Sequence, residues 1–188
     1  FVTEGPGETS GRRADWVANR GAILAGAREA LSRQPDASMA QIAEAAGVHR
    51  GTVYRHFERR EDLLLEVGLA HLQELREVAE GWPADAPRDA EHLAAMSDDL
   101  VAVALRWRVA RYLPLYAPGT EHEFALLRQT CARALAPGRR RAGLLREDMT
   151  TDDLARAWLL PLAIASDPAT DPATPRRFML AAIRGTTP

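Results

Sequence analysis

The chain has 188 residues, 24 basic against 26 acidic side chains, a net charge of −2 and a hydrophobic fraction of 46%. That balance describes a globular chain able to bury a core. It excludes a protein that coats nucleic acid through bulk charge, so any DNA footprint has to be local. No apolar run reaches the roughly 18 residues of a membrane span, the longest being residues 157–165.

The first residues, 1–13, are polar and Gly-rich and read as a flexible arm with no signal-peptide core. A helix is predicted over 14–33, where Trp16, Ile23, Leu24, Ala27 and Leu31 recur at three- and four-residue spacing. Pro35 ends it. Ser38 and Gln41 form a capping-box pattern that opens a short helix with Met39, Ile42, Ala43 and Ala46 on one face. Gly47 stands where a left-handed glycine closes such a helix. A second short helix follows over 50–57, with Val53 and Phe57 facing inward. Two short helices across a tight glycine turn make a helix-turn-helix.

A fourth helix is predicted over 60–80, and the Pro/Gly-rich residues 81–87 are the best candidate boundary in the pattern. Beyond them, helices are predicted over 89–113, stopped at Pro114, and over 121–135, stopped at Pro137. A short basic helix is predicted over 139–146 and a helix capped by Thr150 and kinked at Pro161 over 150–166. A last short helix is predicted to start at Pro175 and run through Arg184. No strand pattern and no repeat emerges, so the fold class is all-α. The lone cysteine, Cys131, rules out an internal disulfide framework and fits a reducing, cytoplasmic compartment.

The run Gly47-Val48-His49-Arg50-Gly51-Thr52-Val53-Tyr54-Arg55-His56-Phe57, with Arg60-Glu61-Asp62-Leu63-Leu64 after it, resembles the DNA-binding signature of the TetR/AcrR family. The resemblance implies a three-helix DNA-binding domain at 14–66 and a helical bundle for effector binding and dimerisation at 67–188. It implies a homodimeric, ligand-responsive regulator, most simply a repressor, that grips a palindromic double-stranded operator and is released by a small-molecule effector. Tyr54 and His56 match positions that touch phosphates in that family, and Thr52 and Arg55 match positions near bases and backbone. The last two helices, 151–166 and 175–184, match the dimer seam.

The chemistry of the residues points the same way. Arg50 and Gly51 lead the second helix, where a recognition helix meets base edges. Arg50 can pair bidentately with guanine, and Gly51 leaves room for close approach. Arg60 stands at a helix start suited to a phosphate, and Ser38 can donate to one if capping leaves its hydroxyl free. Two positions depart from the family pattern: His49 stands where a small polar N-cap is common, and Arg59 where the next helix is usually capped by Ser. Glu58, Glu61 and Asp62 place negative charge near the same face.

Candidate effector-lining groups are Trp107, Tyr112, Tyr116, Phe124, Cys131 and Trp158. The five histidines show no metal-ligand spacing, and no phosphate loop or nucleophile elbow appears, so neither a metal, a cofactor nor catalysis is expected. The alternatives are a helix-turn-helix used only for protein contact and, further off, a helical enzyme.

Overall fold

The structure, a computed structural model, describes residues 6–83, 89–107, 118–167 and 169–184, with side chains from residue 13 onward except at Ser166. Its helices are α1 (Pro6–Arg33), α2 (Met39–Ala45), α3 (Arg50–His56), α4 (Arg60–Glu80), α5 (Ala90–Trp107), α6 (Glu121–Leu135), α7 (Thr151–Leu159) and α8 (Ala173–Ile183). Among the described residues the only β-type pairing is an isolated bridge between Leu145 and Arg184, so the fold is all-α. The chain divides into two compact units, Phe1–Val67 and Gly68–Pro188. The division falls inside α4 rather than at residues 81–87, of which 84–87 lie outside the described residues. Leu63 and Val67 of α4 are buried in the first unit, and Leu72, Leu75 and Ala79 in the second.

The first unit is α1, α2, α3 and the start of α4 around Ile23, Ala27, Leu31, Ile42, Val53, Phe57 and Leu63, all buried. Its tightest crossing is between α1 and the end of α2. A Cβ placed on Gly26 would lie 2.4 Å from the Ala46 backbone nitrogen and 2.6 Å from its Cα, so only glycine fits there. Residues 6–13, expected as part of an arm, continue α1, and Pro6 suits a first turn that needs no N–H from it. Trp16, expected on the apolar face of this helix, is 46% exposed instead.

In the second unit α6 packs on α7 and α7 on α8, while α5 and α8 both pack on a 3-10 segment, Leu160–Ser166. Pro161 near the start of that segment tightens the helix, the form taken by the predicted kink. The basic helix expected over 139–146 does not form. A 3-10 turn, Ala136–Arg140, set by Pro137, gives way to a turn with Gly143 at φ +73°, and Arg139 is spent on the carbonyls of Arg146 (3.3 Å) and Met149 (2.6 Å). The end of the predicted 89–113 helix and its stop at Pro114 lie outside the described residues.

Candidate nucleic-acid interface

Each joint of the α2–turn–α3 segment is closed by a local hydrogen bond. Ser38 Oγ accepts from the Gln41 N–H at 3.3 Å, and Gln41 Oε1 accepts from the Ser38 N–H at 2.8 Å, a full capping box. The Ser38 hydroxyl also donates to Gln41 Oε1 at 2.9 Å. Its one proton is therefore consumed by the cap, which removes the phosphate donor expected there. Gly47 sits at φ +65° and donates to the Glu44 carbonyl at 3.1 Å, while Val48 donates to the Ala43 carbonyl at 3.0 Å. His49 then does what a small polar cap does elsewhere: its Nδ1 accepts the Gly51 N–H at 3.2 Å.

With Val53 and Phe57 buried, α3 presents Arg50, Tyr54 and Arg55 to solvent. Arg50 and Tyr54, one turn apart, form a unit. The guanidinium carbon lies 5.3 Å from the ring centroid, and Nη2 donates to the phenol oxygen at 3.4 Å. Such a contact at an exposed site is worth about 0.5–1 kcal/mol and holds the guanidinium near the helix start. A Cβ on Gly51 would meet only the His49 ring, at an ordinary 3.4 Å, so nothing inside the protein requires glycine there.

Two basic residues are placed differently from expectation. Arg60 reaches back across the first unit, Nε to the Ala37 carbonyl at 3.2 Å and Nη2 to the Pro35 carbonyl at 3.0 Å, and so staples the turn between α1 and α2. His56 is half-buried, its ring stacked on Trp16 at 3.7 Å between centroids. Burial first, then the charges of Arg20 and Arg55, hold its pKa below the ordinary 6.5. Thr52, Arg55 and His56 share a cleft of about 310 Å³ with Asp15, Trp16 and Asn19 of α1. The negative charge expected to oppose DNA is partly answered. Asp62 accepts from the Arg59 N–H at 3.2 Å and from its guanidinium at 2.9 Å, which lowers the carboxyl pKa and leaves Glu58 and Glu61 as the exposed acids.

Sequence reasoning missed Gly26, the Trp16–His56 stack, and the Arg20–Glu66 ion pair that ties α1 to the start of α4. An isolated glycine inside a helical pattern was the one available signal.

Of the candidate effector-lining groups, Phe124, Cys131 and Trp158 are core. Trp158 donates to Ser97 Oγ at 2.9 Å and Ser97 to the Leu93 carbonyl at 2.8 Å, while burial pushes the Cys131 thiol up to about 12. Trp107 is 7% exposed, donates to Glu74, and lies 5.7 Å from the His71 ring. Tyr112 and Tyr116 lie outside the described residues. Among the described residues no helix is long and apolar enough to cross a membrane, and no three His, Cys, Asp or Glu side chains gather around a metal position.

The sequence signature of "Bacterial regulatory proteins, tetR family" matches residues 23–67. No curated protein matches the chain in sequence. Among solved structures, a TetR transcriptional regulator from Streptomyces coelicolor is similar at 26% identity and TM-score 0.59, over 89% of this chain and 99% of that one. PfmR, a TetR-family regulator from Thermus thermophilus, is similar at 17% identity and TM-score 0.60, over 88% and 99%. FadR from the same species, a TetR-family repressor solved in complex with lauroyl-CoA, is similar at 24% identity and TM-score 0.54, over 86% and 91%. The capped α2–α3 pair lies inside the residues that match the tetR-family signature, and the chain shares the fold of these TetR-family regulators, a fold that supports a DNA-binding transcriptional regulator.

Proposed function

We propose that the protein is a homodimeric repressor that binds a palindromic operator and is released by a small-molecule effector. The observation that carries this reading is α3, which buries Val53, runs into the buried Phe57, and leaves the coupled Arg50–Tyr54 pair and Arg55 exposed. Arg50 and Gly51 meet base edges, Thr52 and Arg55 lie near bases and backbone, Tyr54 and His56 meet phosphate, and Ser38 and Arg60 act by holding the frame.

Half-sites one helical turn apart need a two-fold dimer. Leu160, Ile164 and Phe178 support a seam at the second unit's last helices, since these large apolar side chains are 51%, 38% and 51% exposed there. FadR's lauroyl-CoA makes an apolar or acyl effector a reasonable precedent. We place the contact nearest Trp107, beside His71, whose two ring nitrogens are buried without partners. An effector needs only differential affinity for the DNA-competent and DNA-incompetent states, with coupling of about 1–3 kcal/mol.

The reading is tested by selecting genomic fragments with purified protein, and with Arg50→Ala and Tyr54→Ala. A palindromic site recovered by the native chain and lost by both variants is the expected outcome. A folded dimer that enriches nothing at low salt returns the helix-turn-helix to a protein-contact role.

A further inference from the structure

Four arginines lie between residues 50 and 60, and each is held differently. Arg59 is paired with Asp62, and Arg60 gives its donors to the Pro35 and Ala37 carbonyls. Arg55 is exposed and makes no ion pair among the described residues. Arg50 is the one of the four that a described aromatic ring holds. Its backbone stands in the first turn of α3, which His49 fixes through the Gly51 and Thr52 N–H groups. Tyr54 lies four residues on, along the same face. The guanidinium carbon is 5.3 Å from the ring centroid, and Nη2 donates to the phenol oxygen at a long 3.4 Å. A ring steadies a cation without neutralising it, which a carboxylate would do. Spending one Nη2 hydrogen on the phenol leaves one edge of the guanidinium with its paired donors intact. Both side chains are exposed, so the guanidinium is charged, steadied and open to a partner.

We infer that Tyr54 is a specificity-determining residue that acts through Arg50: its ring holds the guanidinium in the orientation that pairs with a half-site guanine, and so sets how strongly that guanine is preferred. The inference rests on the DNA-binding reading and gives Tyr54 a role separate from any phosphate contact. An arginine free to rotate gives up its rotamer freedom on meeting the base, which lowers the net gain from the contact. A guanidinium ordered beforehand gives up less. The benefit goes to the correct base, because guanine offers O6 and N7 as paired acceptors whereas adenine puts an amino group where O6 stands. A phenol on a phosphate, by contrast, strengthens binding to either sequence alike and cancels from the ratio of the two affinities. Tyr54 is a positioning residue in this scheme, and the contact with the base belongs to Arg50.

The test uses the full chain and the duplex recovered by genomic selection, at fixed salt. Each G·C pair of the half-site is changed in turn to A·T, and Kd for the native protein and Arg50→Ala identifies the guanine whose preference depends on Arg50. At that position Tyr54→Ala is expected to lower the guanine-over-adenine affinity ratio about two- to fivefold, the strength of an exposed cation–ring contact. Tyr54→Phe, which keeps the ring, is expected to retain most of the ratio. Adding Tyr54→Ala to Arg50→Ala is expected to leave the ratio where Arg50→Ala alone puts it. Both positions are exposed, so helicity by circular dichroism is expected to be kept in every variant. An unchanged ratio in Tyr54→Ala, the same loss with Arg50 already removed, or a Tyr54→Phe as weak as Tyr54→Ala overturns the inference while DNA binding stands. So does the absence of any guanine whose preference depends on Arg50. Failure of the folded native protein to retain DNA overturns both the inference and the reading beneath it.

Discussion

At Gly51 and His71 the structure separates what folding needs from what function needs. Glycine at the second position of α3 weakens the helix by up to about 1 kcal/mol relative to alanine, yet a Cβ there meets only ordinary contact. Gly51→Ala is therefore expected to raise the melting temperature slightly and to weaken operator binding, because the added methyl stands between the backbone and the bases. Thermal unfolding and anisotropy on the same variant separate the two effects. His71 presents the opposite case, a buried polar ring with neither nitrogen partnered and a pKa lowered to about 4, mainly by burial, with Glu74 pulling the other way. The unfolded chain takes up this proton near 6.5 and the folded one near 4, so stability is full above 6.5 and falls as pH drops between those values. The loss is about 3 kcal/mol at roughly 1.4 kcal/mol per pKa unit. Urea unfolding across that window is expected to show this, and His71→Leu, which carries no proton and no orphan nitrogens, is expected to flatten it.

At the level of elements, those governed by local chemistry were legible in the sequence. The capping box at Ser38 and Gln41, the left-handed Gly47 and the periodic apolar face of α4 each follow from residues within a few positions of one another. The stretch 139–146 misled because its arginines are good helix formers, whereas Pro137, Gly143 and the carbonyls that capture Arg139 decide the backbone. In the candidate site, Arg50, Tyr54 and Arg55 were readable as exposed residues of α3, while the commitments of Arg60 and His56 were not. Their partners are the Pro35 and Ala37 carbonyls and Trp16, far away along the chain, and no spacing rule reaches that far. Gly26 is the same kind of long-range fact. Gly26→Ala has to displace the Ala46 backbone, and a loss of about 1–3 kcal/mol or more is expected in a denaturant titration.

Across the whole molecule, a near-neutral chain binds DNA only through a concentrated surface, and two such surfaces are needed to read a palindrome. The exposed Leu160, Ile164 and Phe178 support placing the second requirement on the last helices. Phe178→Glu combined with Leu160→Glu is expected to shift the protein from dimer to monomer in sedimentation at micromolar concentration, with helicity kept. The measurement that bears most directly on the regulator reading is the operator affinity of Arg50→Ala beside the native chain, across a salt series. Losing a bidentate base contact worth roughly 1–3 kcal/mol weakens operator binding by roughly 5- to 150-fold and leaves affinity for unrelated DNA much less affected. Equal affinity of the two proteins for the operator would contradict α3 as the element that reads it.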